Sequence, residues 1–76
     1  MIYLTKRLPE LNQSRFYALH IQLDLFDEAC VVAEWGRIGS PGTVRSAAFG
    51  SESVARASLS ERVGAKLRRG YNSTAA

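Results

Sequence analysis

The sequence is poor in the side chains that build disulfides, metal sites and catalytic triads. It has one cysteine and one histidine, so it cannot form an intrachain disulfide, and Cys30 and His20 fall short of the four Cys or His ligands typical of structural zinc. Nucleophilic catalysis needs a base within hydrogen-bonding reach. Asp24 shares a strand face with His20 but lies about 13 Å away by strand rise. We therefore expect no metal, no cofactor, no catalytic residue and no enzymatic activity.

The sequence also lacks a long apolar run and a secretory leader. No hydrophobic stretch approaches the roughly 20 residues that span a bilayer, and the chain does not open with a charged segment followed by an apolar one. A single cysteine is consistent with a reducing compartment. We therefore expect a cytoplasmic protein without a membrane partner.

What remains is the composition of one small folded domain with an excess of positive charge. The chain has 76 residues, of which 46% are hydrophobic and 22% charged. Because a domain usually takes on the order of 100 residues, two domains do not fit. Ten Lys or Arg residues against seven Asp or Glu give a net charge of +3. This charge permits an anionic partner without requiring one.

Apolar and polar residues alternate with period two over the first two thirds of the chain but not over the last third. We predict strands over residues 2–7, 15–25, 30–38 and 43–49, and a helix from 52 to about 69. Ser51 is the predicted helix N-cap, Gly70 is its left-handed stop, and its apolar stripe is Ala55, Leu59, Val63 and Leu67. The fold class is α+β, a four-stranded antiparallel sheet with one C-terminal helix packed on one face. Residues 1–71 form a single domain and residues 72–76 a disordered tail.

The position of Trp35 depends on the turn between the second and third strands, because successive side chains point to opposite faces of a sheet. A two- or four-residue turn pairs Leu19 with Gly36 and Leu23 with Val32, and it places Trp35 on the face away from the helix. A three-residue turn would instead bury Trp35 beside Leu19. We favour the first register because its pairs are mostly apolar.

Further contacts follow from the favoured register. Glu34 then faces the core, where an unpaired carboxylate is costly, so we predict that it pairs with Arg45. Pro41 and Gly42 suit the second and third positions of a type II turn, with Gly42 at positive φ. Gly36 is predicted to be a site of close packing against Leu19 or the helix.

A longer motif runs through the second half of the chain. Trp35-Gly36-Arg37-Ile38-Gly39 lies late in the third strand, and a Gly-containing turn, a strand ending in Phe49 and a helix ending in Lys66-Leu67-Arg68-Arg69-Gly70-Tyr71 follow it. On these residues the sequence resembles a WGR domain, and the likeness covers nearly the whole chain. The compact form, with its terminal Gly-Tyr, is similar to the small stand-alone bacterial members.

The resemblance implies an antiparallel sheet with a helix on one side, as in the WGR module of DNA-dependent poly(ADP-ribose) polymerases. In those enzymes the module contacts DNA near a break and passes the signal to a catalytic domain. At the matching positions, Trp35 would lie against a sugar at the DNA end and Arg37 would serve the contact with DNA. Gly36, Gly39 and Tyr71 are motif positions to which we assign structural roles.

Register and resemblance together predict a nucleic-acid-binding surface on the sheet face without the helix. An exposed indole at Trp35 can stack on a sugar or base, and Arg37, about 7 Å along the strand, can bind phosphate. A core indole and a solvated strand-end arginine are the alternatives. Lys66 and Arg69 add helix cations, which solvated flanking charge also explains. Strand cations are taken as ordinary edge charges unless they cluster, namely Lys6, Arg7, Arg15 and Arg45.

We therefore predict a non-enzymatic module that binds nucleic acid, with DNA as the partner and its ends or nicks as candidate targets. The alternative is a protein-interaction or homodimerisation module that uses the same Trp35 and Arg37 surface. An indole sealed from solvent beneath the helix would contradict the nucleic-acid hypothesis.

Overall fold

The computed structural model describes residues 1–24 and 26–73 and shows one antiparallel sheet crossed by one helix. The elements in chain order are β1 (Ile2–Leu8), β2 (Gln13–Leu23), β3 (Ala29–Arg37), β4 (Thr43–Phe49), α1 (Glu52–Arg68) and β5 (Asn72–Ser73). The strands lie side by side in the order β4-β3-β2-β1-β5, and a short 3₁₀ turn at Pro9–Leu11 joins β1 to β2.

The predicted α+β class and C-terminal helix are confirmed, but the sheet has five strands and not four. Asn72 and Ser73, predicted to be tail residues, form β5 and pair with Thr5 and Leu4. A strand of two polar residues shows no alternation of apolar and polar side chains, so the sequence pattern gives no signal for it. The other predicted tail residues, 74–76, lie outside the described residues, as does Leu25 of the predicted second strand.

Both predicted ends of α1 are confirmed. The Ser51 side chain accepts a hydrogen bond from the Val54 N–H at 3.3 Å, which satisfies one of the free donors of the first turn. Gly70 ends the helix at φ +95°. Its N–H donates to the Leu67 carbonyl and that of Tyr71 to the Lys66 carbonyl, each at 3.1 Å, which is the Schellman arrangement. Within the described part of the chain, no helix has the length and apolar character needed to cross a bilayer.

The core lies between α1 and one face of the sheet. Leu19, Val31, Ala33 and Ala55 are almost completely buried there, and Ala29 joins them. The small side chains of β3 let the helix approach closely, and burying a residue such as Leu19 stabilises the fold by roughly 1.5–3 kcal/mol. The predicted helical stripe is buried or half-buried at Ala55, Leu59 and Val63, whereas Leu67 is 46% exposed.

The favoured register of β2 and β3 is wrong. Tyr17 pairs with Trp35 and Leu19 with Ala33, so Trp35 lies on the helix-bearing face and Val32 on the open face. The ladder continues to Asp24, whose N–H donates to the Glu28 carbonyl at 3.0 Å. Three residues separate these two, which is the odd-numbered turn that the apolar pairing had disfavoured.

The side chain of Asp24 explains the odd turn. Its Oδ1 accepts hydrogen bonds from the N–H groups of Phe26 at 2.8 Å and Glu28 at 2.9 Å. Asp27 donates its N–H to the Asp24 carbonyl at 3.1 Å and adopts a left-handed φ of +59°. Asx side chains support such turns locally, and the register that this turn gives still pairs apolar residues across the strands, Leu19 with Ala33 and Ile21 with Val31.

Two contacts predicted from that register are also wrong. Glu34 pairs across the strands with Ala18 and Val44, whereas Arg45 lies opposite Ala33 on the other face, so the carboxylate and the guanidinium do not meet. The positive φ of the turn before β4 belongs to Gly39, at +89°, and not to Gly42. The turn closes with a hydrogen bond of 3.1 Å from the Ser40 N–H to the Arg37 carbonyl.

Candidate nucleic-acid interface

Three cations form a row across the end of the sheet on the helix-bearing face. Lys6 of β1 lies opposite Arg15 of β2, and Arg15 lies opposite Arg37 of β3. Directly opposed residues in antiparallel strands have Cβ atoms about 4.5–5.5 Å apart, so like charges in such positions repel. The register therefore gathers three positive charges that are far apart in the sequence.

The next cross-strand pair along the sheet is aromatic. The rings of Tyr17 and Trp35 stack with their centroids 5.9 Å apart and their planes at 22°. Trp35 was expected on the open face, but it lies on the helix-bearing face and packs against the edge of the core. The indole is half-buried and lines a surface pocket, so it is not sealed beneath the helix.

Two lysines lie near the tyrosine rings at this end, Lys66 from the last turn of α1 and Lys6 from β1. The Lys66 ammonium lies 4.5 Å from the centroid of the Tyr17 ring and 5.3 Å from that of Tyr71. Lys6 lies 5.9 Å from the Tyr71 ring and donates to the Arg69 carbonyl at 2.7 Å. The lysine thus neutralises part of the negative end of the helix dipole and fixes the helix terminus to β1.

Two adjoining pockets result. A pocket of about 190 Å³ is lined by Lys6, Leu8, Gln13, Arg15, Lys66, Arg69 and Tyr71. A second, of about 340 Å³, is lined by Arg15, Phe16, Tyr17, Trp35, Gly36, Arg37, Lys66 and Tyr71. We call this region the basic-aromatic end. Among the described residues, no Asp or Glu lines either pocket, and none of its five cations has a carboxylate ion-pair partner.

Lys66 lies at the centre of this charge cluster. Burial against the rings lowers the pKa of its ammonium group, and the positive charges of Arg69, Arg15 and Lys6 lower it further. The cation–π contacts recover part of the lost hydration. An anion bound between the pockets would reverse the electrostatic part of this shift.

The structure brings the four predicted binding residues to the same end of the molecule. Trp35, Arg37 and Lys66 line the larger pocket, and Arg69 lines the smaller one. Tyr71, which was assigned a structural role, lines both. They meet on the helix-bearing face, not on the open face that the sequence predicted.

Sequence reasoning missed part of the cluster. Lys6 and Arg15 were taken as ordinary edge charges, and Tyr17 as a core residue, whereas all three line the pockets. Their meeting depends on the pairing of β1, β2 and β3, which no local pattern specifies. A three-residue turn placed between Asp24 and Glu28, on the grounds that Asp side chains support turns, would have paired Tyr17 with Trp35.

Two glycines allow close packing of the turn before β4 against β2 and β3. A Cβ on Gly36 would lie 3.2 Å from the Cα of Gly42, and one on Gly42 would lie 2.7 Å from the Trp35 carbonyl and 2.8 Å from the Phe16 ring. Close packing at Gly36 was predicted, but its partners are Gly42 and Phe16 and not Leu19 or the helix. The turn approaches the backbone of Trp35 and the Phe16 ring this closely only because neither glycine has a side chain.

Metal ligands do not come together in the described residues, where no three His, Cys, Asp or Glu side chains cluster. The chemistry that the basic-aromatic end offers is therefore that of cationic hydrogen-bond donors beside aromatic rings. Guanidinium groups bind phosphate oxygens in a fork, and aromatic faces stack on sugars and bases.

Comparison with known proteins agrees with this geometry. A scan against protein families matches the WGR domain over residues 1–76. The chain is 34% identical over 70 residues to the uncharacterized protein y4dW of Sinorhizobium fredii (strain NBRC 101917 / NGR234), an alignment that covers 92% of this chain and 34% of that protein. The chain thus spans about a third of the length of this curated relative. No solved structure matches the chain significantly. Since the family match extends over all 76 residues, the chain belongs to the WGR domain family.

Proposed function

We propose that the chain binds nucleic acid, with DNA as its target, through the basic-aromatic end. The observation that carries the proposal is the cross-strand row of Lys6, Arg15 and Arg37. Opposed like charges cost stability, and among the described residues no carboxylate forms an ion pair with these three cations, so the fold gains from an anionic ligand. The phosphate backbone of nucleic acid supplies regularly spaced negative charges and releases counterions on binding.

The aromatic pair beside the cation row supports a nucleotide over a simple anion. Tyr17 and Trp35 form a stacked pair, and the half-buried indole lines the open pocket next to Arg37. A sugar or base on the indole would leave its phosphate within reach of the guanidinium. Stacking on a base needs an uncovered base face, which a DNA end offers and the interior of an intact duplex does not.

Membership of the family supports the same assignment. WGR domains are binding modules associated with nucleic-acid binding in poly(ADP-ribose) polymerases. The geometry given above requires no chemical step, only positioning of phosphates by cations and stacking on rings. Lys66 lines both pockets, and a phosphate bound beside it would favour its charged form, which opposes the lowering of its pKa by burial and by the neighbouring cations.

Fluorescence anisotropy with a 5′-phosphorylated nicked duplex tests the proposal. We expect salt-sensitive binding, with a slope of log K against log salt of up to about −4.5 if all five cations contact phosphate. Trp35→Ala should weaken binding by roughly 1–3 kcal/mol, the range for loss of base–aromatic stacking. Lys66→Gln should lower the magnitude of the slope by about one.

Arg56→Gln is the matched control because it removes the same charge near the other end of α1, where Arg56 pairs with Glu52 at 2.8 Å. Its affinity and salt slope should stay close to those of the unmodified chain. Absence of binding at low salt would reject the proposal. Equal losses for Arg56→Gln and Lys66→Gln would show that net charge, and not this end of the sheet, attracts the duplex.

A further inference from the structure

The hairpin between β2 and β3 ends in an exposed aromatic ring surrounded by acids. Phe26 is 85% exposed, the most exposed aromatic residue described, and Asp24, Asp27 and Glu28 flank it in the turn. Two hydrogen bonds to the Asp24 carboxylate fix the backbone on both sides of the turn. A ring held on a preorganised turn loses little conformational entropy on docking.

The opposite end of the sheet has the complementary surface. The basic-aromatic end carries five cations and a pocket of about 340 Å³ lined by Tyr17, Trp35 and Tyr71. A cavity of about 150 Å³ is already large enough for benzene, so a phenyl ring fits. An aromatic anchor with acidic neighbours complements this pocket, because its ring can pack on the aromatic lining and its charges are opposite in sign to the cations.

The hairpin of one molecule cannot reach its own pocket. Arg15 and Asp24 are nine residues apart on a straight strand, which separates them by about 30 Å. The longest dimension of the molecule is 45 Å. The complementary surfaces can therefore meet only between two copies.

We propose that the chain associates head to tail with a second copy, with Phe26 of one molecule docked in the basic-aromatic end of the next. Asp24, Asp27 and Glu28 then face the cation row of the neighbour. Each copy keeps one free hairpin and one free pocket, so the contact is heterologous and propagates into a ring or an open chain. The contact area is that of one hairpin, so the interface is weak, reversible and sensitive to salt.

Association and nucleic-acid binding use the same pocket and therefore compete. This consequence rests on the proposed function, whereas the association itself does not. A duplex that occupies the pocket displaces the hairpin of the neighbouring copy. The hairpin thus acts as an intermolecular substitute for the nucleic acid, and it keeps the cations neutralised when no polyanion is bound.

Sedimentation velocity at low salt, with two complementary variants, tests the proposal. Phe26→Asp removes the anchor and leaves the pocket, whereas Arg37→Glu inverts an exposed charge of the pocket and leaves the anchor. We expect the average mass of the unmodified chain to rise with concentration, and each variant alone to be monomeric. An equimolar mixture should form a species of twice the monomer mass and nothing larger, because each variant retains one working surface.

Val44→Asp is the control for the loss of an exposed apolar residue, since Val44 is 57% exposed on the open face. It should associate as the unmodified chain does. Circular dichroism checks that the variants fold, and Arg15→Glu replaces Arg37→Glu if the latter does not. Backbone shifts of labelled Phe26→Asp on addition of unlabelled Arg37→Glu should centre on Tyr17, Trp35 and Lys66.

A monomeric unmodified chain at low salt, association of Phe26→Asp to the same extent, or a mixture that stays monomeric would each overturn the proposal. Association undiminished by high salt would also contradict it. Adding the nicked duplex should then return the associated chain to single copies bound to DNA. If association follows the variants while the duplex neither binds nor dissociates it, the nucleic-acid proposal fails and the head-to-tail contact stands.

Discussion

The two ends of the sheet, about 30 Å apart along β2, differ in charge and in the way the chain is held. At one end Asp24, Asp27 and Glu28 form a turn that satisfies its own backbone groups. At the other end Lys6 and Arg15 meet across two strands, and in the part of the chain that the structure describes neither forms an ion pair with a carboxylate. The Asp24 carboxylate satisfies backbone donors of its own turn, whereas the opposed cations of the basic end repel each other. Electrostatic repulsion therefore costs stability at the basic end and not within the Asp24 turn.

The largest change in stability is expected from substitutions of the two glycines that flank β4. Gly42→Ala should lower the free energy of unfolding by about 1–3 kcal/mol, because the new Cβ would press on the Trp35 carbonyl and the Phe16 ring. Gly50→Ala has no atom within 4 Å of its Cβ and should change stability by about 0.5 kcal/mol or less. Urea denaturation measures both free energies of unfolding. Equal effects would show that the turn before β4 is not tightly packed.

The two ends of α1 come next. Gly70→Ala should cost roughly 1–2 kcal/mol because an alanine is strained at φ +95°. Ser51→Ala should cost about 1 kcal/mol through loss of the N-cap hydrogen bond. Only the first change lies beside Lys6, so only Gly70→Ala should also weaken oligonucleotide binding. A similar loss of affinity in Ser51→Ala would mean that stability alone governs binding.

Alkaline pH tests the charge cluster through Lys66. Its folded pKa is lowered by burial and by the neighbouring cations, so the unfolded chain holds more protons between that pKa and the usual lysine value near 10.4. Stability therefore rises with pH in this window. Compared by denaturation from pH 8 to 10.5, Lys66→Gln should lack this rise. If the stability of Lys66→Gln rises with pH to the same extent, the rise belongs to another titrating group.

The smallest effect is expected from the ion pair in the first turns of α1. Two Arg56 nitrogens donate to Glu52 Oε1 between largely exposed side chains, and Glu52→Gln should cost about 0.3–0.5 kcal/mol. Added salt should abolish the difference, as thermal unfolding can measure. A cost above 1 kcal/mol would mean that this end of α1, too, depends strongly on charge pairing.

Local signals were sufficient for β4 and for both ends of α1, because each has a cause within a few residues. The period of two predicts β4 with its observed bounds, Ser51 begins the helix and Gly70 ends it. The two-residue β5 was not predicted, because its polar residues pair with β1 only after α1 has returned the chain to the sheet edge. Its stabilisation is tertiary, and no local pattern contains it.

The candidate site was predicted in its residue types but not in its place. Trp35 and Arg37 share a face, as the alternation requires, and Lys66 and Arg69 meet them. The face itself depends on the parity of one turn, where the apolar pairing favoured one register and the hydrogen bonds of Asp24 specify the other. Side-chain pairing adds a few tenths of a kcal/mol per pair, which a preorganised turn can outweigh.

The distance along the chain from Asp24 to Glu28 has an evolutionary consequence. Removing or adding one residue there would turn β3 over relative to β2, so that Val32 would enter the core and Trp35 would part from Tyr17. A change of two residues would preserve the phase of the strand. Relatives that keep the aromatic pair should therefore show gaps of even length in this loop, and those with a single-residue gap should have lost the pair.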